Sequence, residues 1–209
     1  MAAKKKKLNL RKLFRSKPPW IIALLAEGVL LMLSVLFALV LNERRFENQR
    51  STEANVALEA IKSELQKNIE GLNRANNHHE SIRDTLQYFE ALNELPPREI
   101  YLEKGLFQPA YLFSTAWETS VQTGIIDEFS YDISLELSEV YKDQAHYEEL
   151  GNIIVQETYK NILNRSSEMA LRDNFENWAL ITWDFSNREK RLRSKLQVLL
   201  EKLNVQKPD

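Results

Sequence analysis

The chain has 209 residues, no cysteine, five glycines and a net charge of −2, so it has room for one domain and hardly for two. Without cysteine it forms no disulfide and offers no thiolate to a substrate or to zinc. The scattered glycines argue against nucleotide-binding classes built on phosphate-binding loops. The charge is unevenly distributed, because residues 1–19 carry eight Lys/Arg and no acid, whereas residues 42–209 carry 20 Lys/Arg and 29 acids.

An apolar run from Trp20 to Leu41 follows the basic leader and is interrupted only by Glu27. At about 1.5 Å per residue, this run forms a helix roughly 33 Å long, which is enough to cross a bilayer once. It exceeds the apolar core of a signal peptide, and no pair of small residues follows it as a cleavage site. The sequence therefore predicts a leader over 1–19 and an uncleaved transmembrane helix over 20–41.

The flanking charges predict the orientation of this helix. Eight Lys/Arg precede it, and only Arg44, Arg45 and Arg50 follow it within 15 residues. Because the more basic flank stays in the cytoplasm, we expect a single-pass protein of the bacterial inner membrane with a cytoplasmic N-terminus and an extracytoplasmic C-terminal domain. The leader could also bind anionic lipid as a short amphipathic turn. Nucleic-acid binding is not expected, since no aromatic platform accompanies the cations.

Glu27 is the only ionisable residue of the predicted transmembrane helix. Glu27 and four other residues lie on one face of this helix, at spacings of three and four: Ala23, Glu27, Leu31, Ser34 and Ala38. Small residues four positions apart are typical of faces that pack against another helix. We interpret this face as a site of self-association or of contact with a helical membrane partner. Two alternatives remain open: a Glu27 that snorkels or stays protonated against lipid, and an ion or proton pathway.

Beyond the bilayer, residues 42–53 predict a solvated helical stalk and residues 54–209 a helical bundle. Core-type residues recur in the first helix at spacings of four and three: Ala54, Leu58, Ile61, Leu65, Asn68, Leu72, Ala75, His79, Ile82, Leu86 and Phe89. This is a heptad seam, and its polar members Asn68 and His79 can set register and partner number. Pro96 and Pro97 are expected to end the helix.

The sequence of the rest of the domain predicts a connector and three further helices. The aromatic-rich segment 98–113 is expected to cross the tip of the bundle. A short helix that ends at Gly124 is expected to follow, capped by Ser114 or by Thr115, which forms a capping box with Glu118. The third helix is predicted from after Ser130 to about Asn164, with Ile133, Leu137, Val140, Tyr147, Ile154 and Ile162 on one face. The last helix is predicted from about Glu168 to Asn204. Its core face consists of Trp178, Phe185, Leu192, Leu196, Leu199 and Leu203. A basic stretch outside this face is interpreted as solvated: Arg188, Lys190, Arg191, Arg193 and Lys195.

The predicted fold class is all-α. One N-terminal transmembrane helix continues into a long coiled-coil-like helix, which packs with an antiparallel helical hairpin in a three- to four-helix bundle. No segment of the domain shows sustained period-two alternation, so no sheet is expected.

Two segments carry a resemblance to known proteins. The first is Ala26-Glu27-Gly28 with an aliphatic run into Ala38-Leu39-Val40-Leu41-Asn42-Glu43, and the second is Ser114-Thr115-Ala116-Trp117-Glu118-Thr119 with Thr123-Gly124 and the later Tyr141 and Tyr147. They resemble an uncharacterised group of bacterial single-pass membrane proteins with an intramembrane Glu and an extracytoplasmic helical domain. That group has a Gly-Glu pair and a Trp-containing exit, where this chain has Ala26 and Arg44-Arg45. The resemblance implies a membrane protein and supplies no catalytic residue.

The one cluster that suggests metal chemistry is His78, His79 and Glu80. Adjacent helical residues point about 100° apart and cannot share an ion, so we expect His79 to fill the seam and His78 to face solvent. No catalytic, metal-binding or cofactor-binding residue is predicted, and no cofactor.

The function predicted is that of a non-enzymatic, membrane-anchored structural or interaction subunit that scaffolds a partner through the bundle. The alternative is a ligand-sensing bundle that signals through a partner membrane protein.

Overall fold

A computed structural model describes residues 19–94, 96–97, 105–164 and 175–205. Within these ranges the protein is helical and has no strand, which confirms the predicted all-α class. The α-helices in chain order are α1 (Pro19–Leu92), α2 (Thr115–Gln122), α3 (Tyr131–Asn164) and α4 (Phe175–Val205), with a 3-10 turn (Ile125–Glu128) before α3. The leader up to residue 18, the part of the connector over 98–104 and the predicted start of the last helix near Glu168 lie outside the described residues, as does the side chain of Ile162.

The chain divides into two compact units between Ser51 and Thr52. The first unit contains the apolar part of α1, and none of its most apolar window is buried. Large side chains there are mostly exposed, for example Leu30 at 67% and Phe37 at 66%. Such a helix near the N-terminus has the length and composition of a membrane anchor or a signal sequence.

The end of α1 is set by an asparagine. Asn93 adopts a left-handed conformation with φ of 53°, which asparagine tolerates better than most residues. The Glu94 N–H donates to Phe89 O and the Asn93 N–H donates to Glu90 O, both at 3.0 Å, as in a Schellman-type cap. The helix therefore ends just before Pro96, close to the predicted position.

The second unit has a hydrophobic core to which α1, α3 and α4 all contribute. Six members of the predicted α1 seam have no exposed surface: Ile61, Leu65, Asn68, Leu72, His79 and Leu86. Every predicted core residue of α4 is also buried. On α3 the face begins with Ile133 and Leu137 and reaches the half-buried Ile154. The heptad prediction is confirmed, although Leu58 and Phe89 are only half-buried.

Polar contacts between side chains of neighbouring helices show the directions of the helices. The pairs are Glu136–Lys202 and Asp143–Lys195 between α3 and α4, and Asn73–Arg193 and Glu80–Lys190 between α1 and α4. In both sets the residue number on α4 falls as the number on the other helix rises, so α4 runs antiparallel to α3 and to α1. The predicted bundle is thereby confirmed in part. The basic stretch is not simply solvated, because Lys190, Arg193 and Lys195 bridge to neighbouring helices.

The connector over 105–113 runs back along α1 and does not cross the tip of the bundle. His78 Nε2 lies 3.0 Å from Gly105 O, and Asn68 Nδ2 donates to Phe113 O at 2.8 Å. As the connector advances, its contacts on α1 therefore move toward Thr52. The tip crossing predicted from sequence is wrong for this part of the chain, because an irregular segment must find partners for its backbone groups and α1 supplies them.

A glycine on α3 lets the connector approach closely. A Cβ at Gly151 would lie 3.1 Å from Pro109 Cβ and 3.5 Å from Phe185 Cζ. The first distance is too short for ordinary van der Waals contact, so a side chain at position 151 would push the connector away from α3. Gly151 is thus explained by packing, not by a helix break.

Candidate functional site

An apolar groove lies between residues 52–67 of α1 and the short helix α2. Its volume is about 780 Å³. Small side chains line it on both helices: Ala57, Ala60 and Ser63 on α1, and Ala116, Thr119 and Ser120 on α2. Val56 and Phe113 also line the groove and remain 66% and 42% exposed. The groove exists because these small residues leave the space between the two helices unfilled.

Three charged residues line the groove: Glu53, Glu64 and Lys67. Both carboxylate oxygens of Glu64 accept hydrogen bonds inside the fold, from Tyr141 Oη at 2.6 Å and from the Ala116 N–H at 2.8 Å. Lys67 is exposed, and its Nζ lies 6.0 Å from the centroid of the Phe113 ring. In the described part of the chain, no carboxylate lies within ion-pair distance of Lys67. Lys67 is therefore a cation of the groove without an internal counter-charge.

Glu64 also fixes α2 against α1. Ser114, one of the two predicted caps, is the N-cap residue, and its Oγ donates to Glu118 Oε1 at 2.6 Å, so the capping box of Thr115 and Glu118 does not form. The Ala116 N–H, one of the free donors in the first turn of α2, is bound by Glu64 from the neighbouring helix. A carboxylate at this position is favoured by the helix dipole as well as by the hydrogen bond. The wall of the groove formed by α2 is thus held by a contact between residues 52 positions apart.

Tyr141 completes the support of the groove from α3. Its ring stacks on the Trp117 ring of α2, with centroids 5.2 Å apart and planes 5° apart. Burial, followed by the hydrogen bond to Glu64 and the charge of that carboxylate, raises the pKa of Tyr141 far above its ordinary value. The hydroxyl therefore remains a donor to Glu64 at any physiological pH.

Asn68 binds the connector to α1 and α3. The Phe113 N–H donates to Asn68 Oδ1 at 2.7 Å, and Asn68 Nδ2 donates to Phe113 O at 2.8 Å and to Gln144 Oε1 at 3.0 Å. Asn68 and Gln144 are buried, at 0% and 2% exposed. This polar seam residue thus positions Phe113, which lines the groove.

A second buried cluster joins all three long helices to the connector. His79 Nδ1 lies 2.9 Å and 3.1 Å from the two carboxylate oxygens of Glu189, and Tyr147 Oη donates to Glu189 Oε1 at 2.8 Å. The Gln108 N–H donates to His79 Nε2 at 3.2 Å, and the Ala110 N–H donates to Tyr147 Oη at 2.8 Å. Because Nε2 accepts, this pattern fits the tautomer with the proton on Nδ1, directed at Glu189.

This cluster serves the fold and lies away from the groove. His79 and Glu189 have no exposed surface, so neither can touch a solute. Burial and the charge of Glu189 raise the pKa of Tyr147, more than the hydrogen bond from Ala110 lowers it. Tyr147 therefore remains protonated and supplies the hydrogen bond that the buried carboxylate requires.

The three residues considered as metal ligands have separate partners. His79 contacts Glu189, as its seam position predicted, whereas Glu80 pairs with Lys190. His78 is half-buried and bound to Gly105 O, so the prediction that it faces solvent is wrong. The separation follows from the 100° turn between adjacent helical residues.

The predicted transmembrane face lies on the exposed part of α1. Its five members, Ala23, Glu27, Leu31, Ser34 and Ala38, are all exposed. The Ser34 hydroxyl donates to Leu30 O at 2.8 Å, which satisfies this polar group within the helix. The role of this face in association stays a prediction.

Sequence reasoning missed the groove and the buried acids that support the fold. For Glu189 a signal was present, because Phe185, Glu189 and Leu192 continue the four-and-three spacing of the α4 seam. An acid at a core position of α4 and a histidine at a core position of α1 indicate that Glu189 and His79 form a buried polar pair. For Glu64 no signal was present, since it precedes the seam residue Leu65 and resembles any exposed acid of the helix.

Comparisons of the chain with protein-family models, with curated proteins and with solved structures each found no match. The resemblance to bacterial single-pass membrane proteins accordingly stays a prediction. The function is argued below from the surfaces and contacts of the chain.

We expect the free energy of unfolding to fall above about pH 10. Unfolding would return Tyr141 and Tyr147 to their usual pKa of 10.0, so above that pH the folded state holds protons that the unfolded state has released. Their contribution is complete below pH 10 and declines by about 1.4 kcal/mol per pH unit for each tyrosine. Urea unfolding of the full-length protein in mild detergent, followed by circular dichroism, measures this slope.

The Tyr141→Phe/Tyr147→Phe double variant should lose most of this alkaline slope. Tyr131→Phe is the matched control, because Tyr131 is 79% exposed, and it should keep the slope of the parent. An unchanged slope in the double variant would contradict the assignment of the raised pKa values.

Proposed function

We propose that this protein is a membrane-anchored interaction subunit, with α1 as its anchor and the second unit as a scaffold for a partner protein outside the membrane. The observation that carries the proposal is exposed apolar surface of two kinds. One is the apolar stretch of α1, none of which is buried in its most apolar window. The other is the groove between α1 and α2.

The apolar stretch supports anchoring because water is an unfavourable environment for it. Transfer of apolar surface out of water contributes roughly 25 cal/mol per Å², and a bilayer can cover the whole circumference of a helix. The excess of cations before the stretch supports a cytoplasmic N-terminus in a bacterial inner membrane. Residues 54–209 would then be extracytoplasmic, as the sequence predicts.

The groove supports the role of a scaffold because its walls are fixed before any partner binds. Glu64 holds α2, and Asn68 holds Phe113, through buried hydrogen bonds. A partner that binds preformed walls loses little free energy in ordering them. Exposed apolar patches with polar borders are typical of protein interaction sites.

The groove also favours a second candidate function. Its volume of about 780 Å³ falls within the roughly 300–1,000 Å³ of small-molecule sites. A ligand-sensing module that signals through a partner membrane protein would use the same surface.

Co-purification tests the function. We expect the full-length chain, extracted from its native membrane in mild detergent, to carry a protein partner in fixed stoichiometry, measured by native mass spectrometry. A small molecule bound in place of a protein would favour the sensor. A chain without either would contradict both functions.

The proposed orientation predicts the behaviour of a reporter fused after Asp209. A reporter that is active only outside the cytoplasm should be active, because eight cations precede the span and only three follow it within 15 residues. Replacement of Lys4, Lys5, Lys6 and Lys7 by glutamine should give mixed orientations. Activity only of a reporter that works in the cytoplasm would contradict the predicted orientation. An unchanged orientation in the glutamine variant would show that residues other than these lysines determine it.

The predicted face around Glu27 should mediate association of the span with another helix. Polar contacts between membrane helices contribute only about 0.6–2 kcal/mol, so Glu27→Leu should weaken crosslinking between spans and improve insertion. Glu27→Gln keeps hydrogen bonding and should preserve crosslinking. Equal crosslinking in the parent and both variants would show that Glu27 is a tolerated polar residue and not part of an interface.

A further inference from the structure

We infer that His79 is an acid-sensitive latch, which holds the connector at Gln108 while its ring is neutral and releases it when the ring takes up a further proton. The inference concerns regulation of the fold and does not depend on the proposed function. If the second unit is extracytoplasmic, as proposed, the latch responds to the pH outside the membrane. The different hydrogen bonds of the two ring nitrogens carry the inference.

The two ring nitrogens of His79 have opposite roles. Nδ1 lies 2.9 Å from Glu189 Oε1 and is the donor in that contact, whereas Nε2 accepts from the Gln108 N–H at 3.2 Å. Only the neutral ring offers a donor and an acceptor together, because an imidazolium has a proton on both nitrogens. A proton at Nε2 would meet the N–H of Gln108, so the protonated ring cannot keep this contact.

The carboxylate of Glu189 compensates the charge of the protonated ring. Both side chains are fully buried, and an unpaired charge in the core would be costly. In an ion pair with Glu189, the imidazolium of His79 keeps its bond to α4 at Nδ1. Acidification therefore breaks the contact with the connector and leaves the contact between α1 and α4 in place.

The hydrogen bonds of Glu189 direct the proton to His79. Nδ1 of His79 and Oη of Tyr147 both donate to the carboxylate, at 2.9 Å and 2.8 Å, and donors of this kind favour its charged form. Tyr147, the titratable group of α3 at this site, stays protonated and neutral. Gln108 is exposed, so a movement of the connector there opens a path from water to Nε2.

The neighbouring His78 responds to acid in the opposite sense. Its Nε2 lies 3.0 Å from Gly105 O, and because a carbonyl only accepts, this nitrogen carries a proton in both charge states of the ring. A positive ring strengthens the bond, so acid holds Gly105 and releases Gln108. A charge on His78 opposes one on His79, since the ring centroids are 5.5 Å apart, but Glu189 lies closer to His79.

The other described groups around His79 carry no net charge. The rings of Phe107 from the connector and Phe185 from α4 pack against it, with centroids 5.7 Å and 5.6 Å away. Glu80, the next residue of α1, forms an ion pair with Lys190 of α4. The state of the latch is therefore set by the two histidines and by the carboxylate bound to Nδ1.

Amide hydrogen exchange tests the latch, measured by NMR on the full-length chain in mild detergent. Histidine ordinarily changes its charge between about pH 8 and about pH 5. Over this range we expect the protection of the Gln108 N–H, corrected for the intrinsic pH dependence of exchange, to fall about 5- to 10-fold, as for one lost hydrogen bond. The Ala110 N–H is the control within the same molecule, because it donates to Tyr147 Oη at 2.8 Å and should keep its protection. Equal loss at both amides would indicate general loosening of the fold and would overturn the inference.

The charge of the ring is measured separately by long-range proton–nitrogen correlation spectra of the same sample. We expect a proton on Nδ1 alone of His79 at about pH 8 and on both nitrogens at about pH 5. A His79 that stays neutral at the lower pH would reject the latch. Protonation of His79 with unchanged protection at Gln108 would reject it as well.

His79→Gln removes the titration, while the amide side chain still offers a donor and an acceptor. In this variant the protection of the Gln108 N–H should not depend on pH. His146→Gln is the matched control, because His146 is an exposed histidine of α3, and it should keep the acid response of the parent. An acid response that survives in His79→Gln, or is lost in His146→Gln, would contradict the assignment. If His79→Gln fails to fold, the two measurements on the parent decide.

Discussion

The constraint on which this structure depends is the hydrogen bonding of a connector that has no regular secondary structure. Backbone donors and acceptors that are buried without partners cost free energy comparable to lost hydrogen bonds. Over residues 105–113 these partners include Asn68, His78 and His79 of α1. Tyr147 and Glu148 of α3 supply others. The path of the connector back along α1 therefore follows from where α1 and α3 carry polar side chains that can bind its backbone.

The groove follows from the same contacts. Glu64 binds the first turn of α2, and the stacked pair of Trp117 and Tyr141 holds that helix from the side of α3. The residues of α1 that face α2 are too small to fill the space between the helices. Polar groups used in internal support thus create an exposed apolar surface between α1 and α2, with the exposed Lys67 among its lining residues.

Sequence periodicity predicted the parts of the fold that depend on local pattern. The α1 seam, the bounds of α3 and the α4 core face were all recognised because apolar spacing of three and four identifies a buried face without knowledge of its partner. The path of the connector and the groove were not, because they depend on contacts between residues far apart in the sequence, such as His79 with Gln108 and Glu64 with Ala116, which are 29 and 52 positions apart. Lys190, Arg193 and Lys195 were misjudged for the same reason, since charge in a sequence does not show which helix lies within reach.

The polar seam residues explain why the helices adopt one register. Leucines of adjacent layers are nearly interchangeable, so apolar packing alone tolerates a slip of one turn. Such a slip would separate His79 from Glu189 and leave a fully buried carboxylate without its donors, at a cost of about 3–5 kcal/mol. The same slip would move Asn68 away from the backbone of Phe113 and release one wall of the groove. The apolar residues thus drive association of the helices, and the buried polar pairs select the single alignment in which the groove exists.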